Sequence, residues 1–107
     1  MPRLLAIPLA AMLLGGCGAA TKTPPSAGVR TVVIQSFKYA PASLTVAAGT
    51  KVTWINRDGA PHTASAGGLE TGTLTRGRSR TLVLSTPGTY RYVCQFHPFM
   101  HGTIVVR

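Results

Sequence analysis

The sequence predicts an all-β domain built as a sandwich or flattened barrel of about seven to eight strands. Short segments rich in Val, Ile, Thr and Tyr recur between Gly, Pro and other turn residues. Apolar and polar residues alternate within these segments, and runs of helix-favouring charged residues are missing. At 107 residues, the chain has room for one compact domain with one modest core.

Seven strands are predicted in chain order, at residues 29–35, 43–47, 51–56, 69–74, 79–85, 89–94 and 103–107. Turn residues separate them at short intervals, and no helix is predicted after residue 28. The alternation places Trp54 and Tyr92 on core-facing positions, so Trp54 is expected to fill the core. Strands spaced this closely are typical of two sheets packed face to face.

The N-terminus has the composition of an export signal. A short, positively charged segment at residues 1–3 precedes an apolar run at 4–14, and small residues precede Cys17. This run is about half as long as the roughly 20 residues of a membrane-spanning helix. Residues 1–17 are therefore predicted to be a signal peptide. Its Leu-Gly-Gly-Cys ending resembles the lipobox of bacterial lipoproteins, whose cysteine is lipidated. An ordinary cleaved signal is the alternative.

Residues 18–28 are predicted to be a flexible tether, because they contain no large apolar residue and no periodic pattern. The folded domain is expected at 29–107. Together these segments predict an exported protein, periplasmic or outward-facing, anchored to a bacterial membrane as a lipoprotein through Cys17.

The charge balance favours an acidic partner or an anionic surface. Eleven Lys and Arg oppose only Asp58 and Glu70, for a formal charge of +9. Nucleic acid is not expected as a partner. No aromatic residues interleave with Arg76, Arg78 and Arg80 to stack on bases.

Side chains that bind soft metals cluster near the C-terminus. Cys94, His97 and Met100 follow one another at three-residue steps after a predicted strand. His62 lies in an upstream turn that a sandwich can bring to the same end. Two imidazoles and a thiolate with a weak axial methionine are associated with blue copper. The sequence therefore predicts one copper ion, cycling between Cu(I) and Cu(II), at these four residues.

Each of these side chains, taken singly, could instead fill the core or lie on the surface. Their joint spacing favours the metal site. His101 is expected to face solvent. Because Cys17 belongs to the signal, Cys94 has no partner in an oxidising compartment, and a disulfide between the two would remove both the anchor and the site.

Several motifs of the folded part occur together in one known family. They are the segment 52–57, the Pro61-His62 pair, the Tyr90 to Cys94 strand, and the run from His97 to Met100. On these motifs, residues 30–107 resemble the cupredoxins of the plastocyanin group, most closely the amicyanins. The resemblance implies a Greek-key cupredoxin fold, the same four copper ligands and electron exit at the ring edge of His97. It also implies an apolar docking patch that includes Pro98 and Phe99.

Two positions depart from the family pattern. Thr63 stands where the family usually has an asparagine that hydrogen-bonds the two ligand loops, so a single hydroxyl must connect them here. Phe96 stands where amicyanins usually have a proline, so this loop keeps a backbone donor.

The predicted function is transfer of single electrons between redox proteins outside the cytoplasmic membrane, by a monomer. A copper chaperone or store using the same site is the alternative. Catalysis is not expected, because four protein ligands leave no open metal position and Asp58 and Glu70 are the only carboxylates. An immunoglobulin-like domain would need a second core cysteine, and none occurs between residues 18 and 93.

Overall fold

The structure is a computed structural model that describes residues 28–107. These residues form nine strands: β1 (Val29–Gln35), β2 (Lys38–Ala40), β3 (Ser43–Val46), β4 (Thr50–Asn56), β5 (Ser65–Ala66), β6 (Leu69–Glu70), β7 (Ser79–Leu84), β8 (Gly88–Val93) and β9 (His101–Val106). None of these described residues forms a helix that is long and apolar enough to cross a membrane. The predicted signal peptide and nearly all of the predicted tether lie outside the described residues.

The strands form two sheets. One has the order β2-β1-β4-β7, and the other has the order β3-β9-β8-β5-β6. The β1–β4 and β3–β9 pairs are parallel, and the remaining neighbours are antiparallel. Parallel pairing requires crossover connections, so the chain passes repeatedly between the sheets. The predicted all-β architecture is confirmed.

The sequence predicts neither β2 nor β5. β2 follows β1 through a two-residue turn at Ser36 and Phe37, which lacks the Asn-Gly or Asp-Gly signal of such turns. The predicted strand at 69–74 is also shorter in the structure, where β6 ends at Glu70. Gly72 has a φ of 74°, which is incompatible with an extended strand.

The core forms from the alternating apolar positions. Trp54 and Tyr92 are almost fully buried, and their rings pack edge to face with centroids 5.6 Å apart. Gly102 lies opposite Tyr92 in the β8–β9 pair. A Cβ atom on Gly102 would lie 2.2 Å from the Tyr92 ring, so only glycine lets β9 approach this closely. Trp54 is core filler, as predicted.

One end of the sandwich gathers the connections that carry the candidate ligands. β4 and β8 end there and β9 begins there, so the chain after Asn56 meets the 94–100 loop. The β1–β2 turn lies at the same end. We call this end of the sandwich the site end. The side chain of Asn56, which is fully buried, donates hydrogen bonds to the carbonyls of Ala60 (2.8 Å) and Leu74 (2.7 Å) and so shapes the loop that carries His62.

Candidate metal centre

Three potential ligand atoms converge at the site end. Sγ of Cys94 lies 3.7 Å from Nδ1 of His62 and 3.6 Å from Nδ1 of His97. All three atoms lie within 4.8 Å of one another. An ion bound in trigonal fashion at roughly 2.0 Å from nitrogen and 2.3 Å from sulfur places such atoms about 3.7 Å apart. The spacing therefore fits one shared ion.

The loop that carries three of the predicted ligands is closed by its own backbone. The amide of Cys94 donates to the carbonyl of Met100 (3.2 Å), and the amide of Met100 donates to the carbonyl of His97 (2.8 Å). Cys94 is fully buried, Met100 is nearly so, and His97 is partly exposed. The loop thus holds the methionine side chain inside the protein.

Thr63 connects the two ligand loops. Its Oγ1 accepts a hydrogen bond from the amide of Gln95 (2.9 Å), and its own amide donates to Sγ of Cys94 (3.4 Å). The amide that points at the sulfur helps to fix its position at the site end. Tyr39 supports the loop by donating its hydroxyl to the carbonyl of Thr63, and burial raises the pKa of Tyr39. The hydroxyl of Thr63 connects the two loops, as the sequence predicts, and its amide adds a second connection through the sulfur.

His62 is held on its far side by a carboxylate. Its Nε2 lies 2.8 Å from Oδ2 of Asp58. An ionised carboxylate accepts a hydrogen bond, so this contact places the ring proton on Nε2 and leaves the lone pair on Nδ1. Nδ1 is the atom that faces Cys94. Sequence reasoning missed this role of Asp58, because spacing within an irregular turn does not show which side chains meet.

Asp58 also accepts two backbone hydrogen bonds from the β1–β2 turn. The amide of Ser36 donates to Oδ1 (2.7 Å), and the amide of Phe37 donates to Oδ2 (2.9 Å). Burial by itself would raise the pKa of Asp58, but the bonds from Phe37 and Ser36, together with the bond from His62, outweigh burial and lower the pKa. The carboxylate is therefore ionised at neutral pH.

Aromatic rings surround the exposed side of the centre. The ring of Phe37 lies 5.2 Å from His62 and 5.0 Å from His97, centroid to centroid. Phe99 and Phe96 lie 5.9 and 6.4 Å from His97. Phe37, Phe96 and Phe99 are 41%, 50% and 67% exposed, and we call these three the phenylalanine patch. The sequence pointed to Phe99 but not to Phe37, which lies far away in the chain.

The structure separates His101 from the converging atoms. It is exposed at the start of β9, as predicted, and it is not part of the group formed by His62, Cys94 and His97 within residues 28–107. Within residues 28–107, Cys94 is a free cysteine. The thiol is thus available to a metal.

A two-sheet sandwich with two histidines and a buried cysteine gathered at one end defines a cupredoxin. The sequence matches the family profile described as "Cupredoxin-like domain" over residues 5–106, and the chain belongs to that family. Within the family, its relatives include the amicyanins. It is 34% identical to Amicyanin-alpha of Methylorubrum extorquens over 104 residues, which cover 91% of this chain and 86% of the relative. It is also 35% identical to Amicyanin of Paracoccus denitrificans over 86 residues, covering 74% and 66% of the two chains.

Solved structures show the same relationship. An oxidised proline-to-alanine variant of amicyanin has a TM-score of 0.70 and 35% identity, covering 77% of this chain and 85% of that chain. The Cu(I) form of a methionine-to-alanine variant of amicyanin has a TM-score of 0.70 and 36% identity at the same coverage. The predicted cupredoxin fold and the predicted similarity to amicyanins are confirmed.

The donor set of the centre fits one copper ion. Imidazole nitrogen suits both copper oxidation states, whereas thiolate and thioether sulfur favour Cu(I). The structure brings both kinds of donor to one buried point, with the thiol of Cys94 between the nitrogens of His62 and His97. The thioether of Met100 is buried in the same loop.

Proposed function

We propose that this protein is a type 1 copper protein that transfers single electrons between redox proteins. The proposed ligands are His62, Cys94, His97 and Met100. The observation that carries the proposal is the convergence of three of these side chains on one point, with spacings that suit a shared ion. Solved relatives described as oxidised and as Cu(I) forms support it. A bound copper ion supplies the one-electron change between Cu(II) and Cu(I).

The contribution of the protein is to hold the ligands nearly still. Asp58 fixes the ring of His62, Thr63 ties the two loops together, and backbone bonds close the loop from Cys94 to Met100. Little ligand movement accompanies the electron when the donors are held in this way. Rapid electron exchange follows from this rigidity.

We propose that partners dock on the phenylalanine patch. His97 is the only partly exposed residue of the three converging side chains, and Phe96 and Phe99 flank it. An exposed apolar surface of this kind lets a second protein come close to the ring without burying charge. The ring of His97 is then the shortest way between the centre and the partner.

The charges at the site end favour an acidic partner. Lys38 is the first residue of β2 and directly follows Phe37 of the patch. Arg78 is exposed, and its carbonyl accepts a hydrogen bond from the amide of Asn56, the last residue of β4, which places Arg78 at the site end. Both acidic residues of the sequence are engaged in hydrogen bonds, Asp58 with the β1–β2 turn and Glu70 with the amide of Gly72 (2.8 Å). Basic residues at the same end as an apolar patch steer acidic proteins toward it.

We also propose export and a lipid anchor at Cys17. The support is the composition of residues 1–17 and 18–28, together with the direction of β1. This strand starts at Val29 and runs toward the site end. A tether that enters at Val29 would therefore leave the phenylalanine patch pointing away from the membrane.

The test is visible spectroscopy with stopped-flow reduction and reoxidation of the copper-loaded protein. The proposal expects intense blue absorption from Cu(II), rapid reduction, and recovery of the full colour after repeated cycles with the copper retained. A colourless protein that gives up Cu(I) readily to an acceptor would instead support the copper chaperone or store.

A further inference from the structure

We propose that Phe37 is a positioning residue that clamps the ring of His97 and slows the loss of bound copper. This inference rests on the proposed function, because it requires a metal in the centre. The ring of Phe37 meets His97 at an interplanar angle of 85° and His62 at 86°. Among residues 28–107, no other phenylalanine, tyrosine or tryptophan ring pairs with both histidines. Phe37 thus spans the two imidazoles from the solvent side.

His97 is the histidine that needs such a clamp. His62 is fully buried and fixed by Asp58, whereas His97 is partly exposed. Within the described residues, the ring of His97 has one hydrogen-bonding neighbour, Sγ of Cys94 at 3.6 Å, and the imidazole of His62 packs against it with centroids 5.0 Å apart. Its remaining contacts are aromatic, so packing and not hydrogen bonding restrains this ring.

The backbone conformation of the β1–β2 turn aims Phe37 at the histidines. Ser36 and Phe37 have φ angles of 55° and 56°, a left-handed conformation that is uncommon for residues other than glycine, asparagine and aspartate. A bulky side chain persists in this region only when its surroundings enforce it. Here the carboxylate of Asp58 accepts the amide hydrogens of both turn residues.

Asp58 therefore connects two restraints on the centre. One carboxylate oxygen takes part in the bond to His62 and in the bond to the amide of Phe37, and the other accepts the amide of Ser36. The residue that orients one histidine also fixes the turn that presents a ring to the other. The ring of His97 also contacts Phe99 and Phe96, and Phe37 is the nearest of the three phenylalanines, so we expect Phe37 to restrain the movement of the ring most.

The experiment compares Phe37→Ala with Phe96→Ala. Each variant loses one exposed phenyl ring next to His97, but Phe96 is farther away, at 6.4 Å against 5.0 Å. Wild-type and variant proteins loaded with Cu(I) are mixed with excess bathocuproine disulfonate, and the colour of the copper chelate is followed over time. Phe37→Ala should release copper about two- to tenfold faster than wild type, the factor expected for one aromatic contact. Phe96→Ala should release it with a clearly smaller acceleration.

A second measurement does not depend on copper. NMR spectra of the apo protein should show proton contacts between the Phe37 ring and both imidazoles, and the His97 ring signals should broaden or average in Phe37→Ala. Phe37→Leu, which keeps bulk without an aromatic ring, should fall between wild type and the alanine variant in both measurements. Thermal unfolding of each apo variant shows that the fold is intact.

The clamp is overturned if folded Phe37→Ala releases copper at the wild-type rate, or if Phe96→Ala accelerates release as much as Phe37→Ala does. The second result would mean that general opening of the patch controls release. A wild-type protein that fails to bind copper would remove the proposed function, while the NMR contacts would still report whether Phe37 restrains His97.

Discussion

Nε2 of His62 lies 2.8 Å from Oδ2 of Asp58, while Nδ1 of the same ring lies 3.7 Å from Sγ of Cys94. The imidazole is therefore fixed at both of its nitrogens. The carboxylate, the turn amides and the buried ring hold one another in place through contacts that involve protein atoms alone. The entropy lost on metal binding is correspondingly small.

Asp58→Asn should weaken copper binding by about 10- to 100-fold, the usual effect of losing a carboxylate behind a ligating histidine. The amide of asparagine carries no charge and cannot replace both carboxylate oxygens as acceptors. Competition titration against a chelator of known affinity measures the change. Glu70→Gln is the matched control, because Glu70 bonds Ser65 and Gly72 and not a histidine. Equal affinities of the two variants would show that the Asp58 contact does not orient the ligand.

The stability that Asp58 contributes should disappear in acid. Its pKa in the folded protein is below the ordinary value of 3.8, so the unfolded chain takes up its proton first as the pH falls. The stabilisation by Asp58 is therefore complete at pH values above the ordinary pKa, and it is lost as the pH falls through the pKa of Asp58 in the folded protein. Urea unfolding of apo wild type and Asp58→Asn between pH 5 and pH 3 measures it. The difference in free energy of unfolding should shrink toward pH 3, and a constant difference would contradict the pKa direction.

Thr63→Val should destabilise the apo protein by about 1 to 3 kcal/mol, because the amide of Gln95 loses its acceptor in a part-buried position. Valine keeps the shape of threonine, so the change isolates the hydroxyl. Thr63→Ser keeps the hydroxyl and is the control. Urea unfolding measures both variants, and the account fails on this point if the valine and serine variants are equally stable.

Lys38→Glu should slow the reaction of the reduced copper protein with hexacyanoferrate(III) about two- to fivefold at low ionic strength. The matched control is Arg30→Glu, which makes the same change in net charge on β1 near its start, away from the site end. The difference between the variants should fade as salt screens the surface charges. Stopped-flow rates across a salt series measure this. Identical rates for both variants would show that net charge alone, and not its position, governs the approach.

The sequence predicts the sandwich and its core because alternation of apolar residues is a local pattern. Seven of the strands and the buried positions of Trp54 and Tyr92 follow from it. β5 has only two residues, which is too short to show alternation. β2 is missed because Ser36 and Phe37 carry no turn signal, and their left-handed conformation depends on a carboxylate from a distant loop.

The candidate centre is predictable to a similar degree. The spacing of Cys94, His97 and Met100 is visible in the chain, and the sandwich fold explains why His62 reaches the same end. The supporting contacts of Asp58 and Phe37 are not visible, because they join segments that are 21 or more residues apart or residues within an irregular turn. Sequence thus shows which side chains can bind a metal, whereas the surrounding restraints come from tertiary structure.

The most direct test of the copper centre is the visible spectrum of Cu(II)-loaded Cys94→Ser beside wild type. Wild type should show the intense absorption of a thiolate-to-copper bond, and the serine variant should lack it because serine offers no thiolate. His101→Ala, which changes an exposed histidine next to the loop, should keep the wild-type colour. A Cys94→Ser protein with an unchanged copper spectrum would contradict the proposed ligand set.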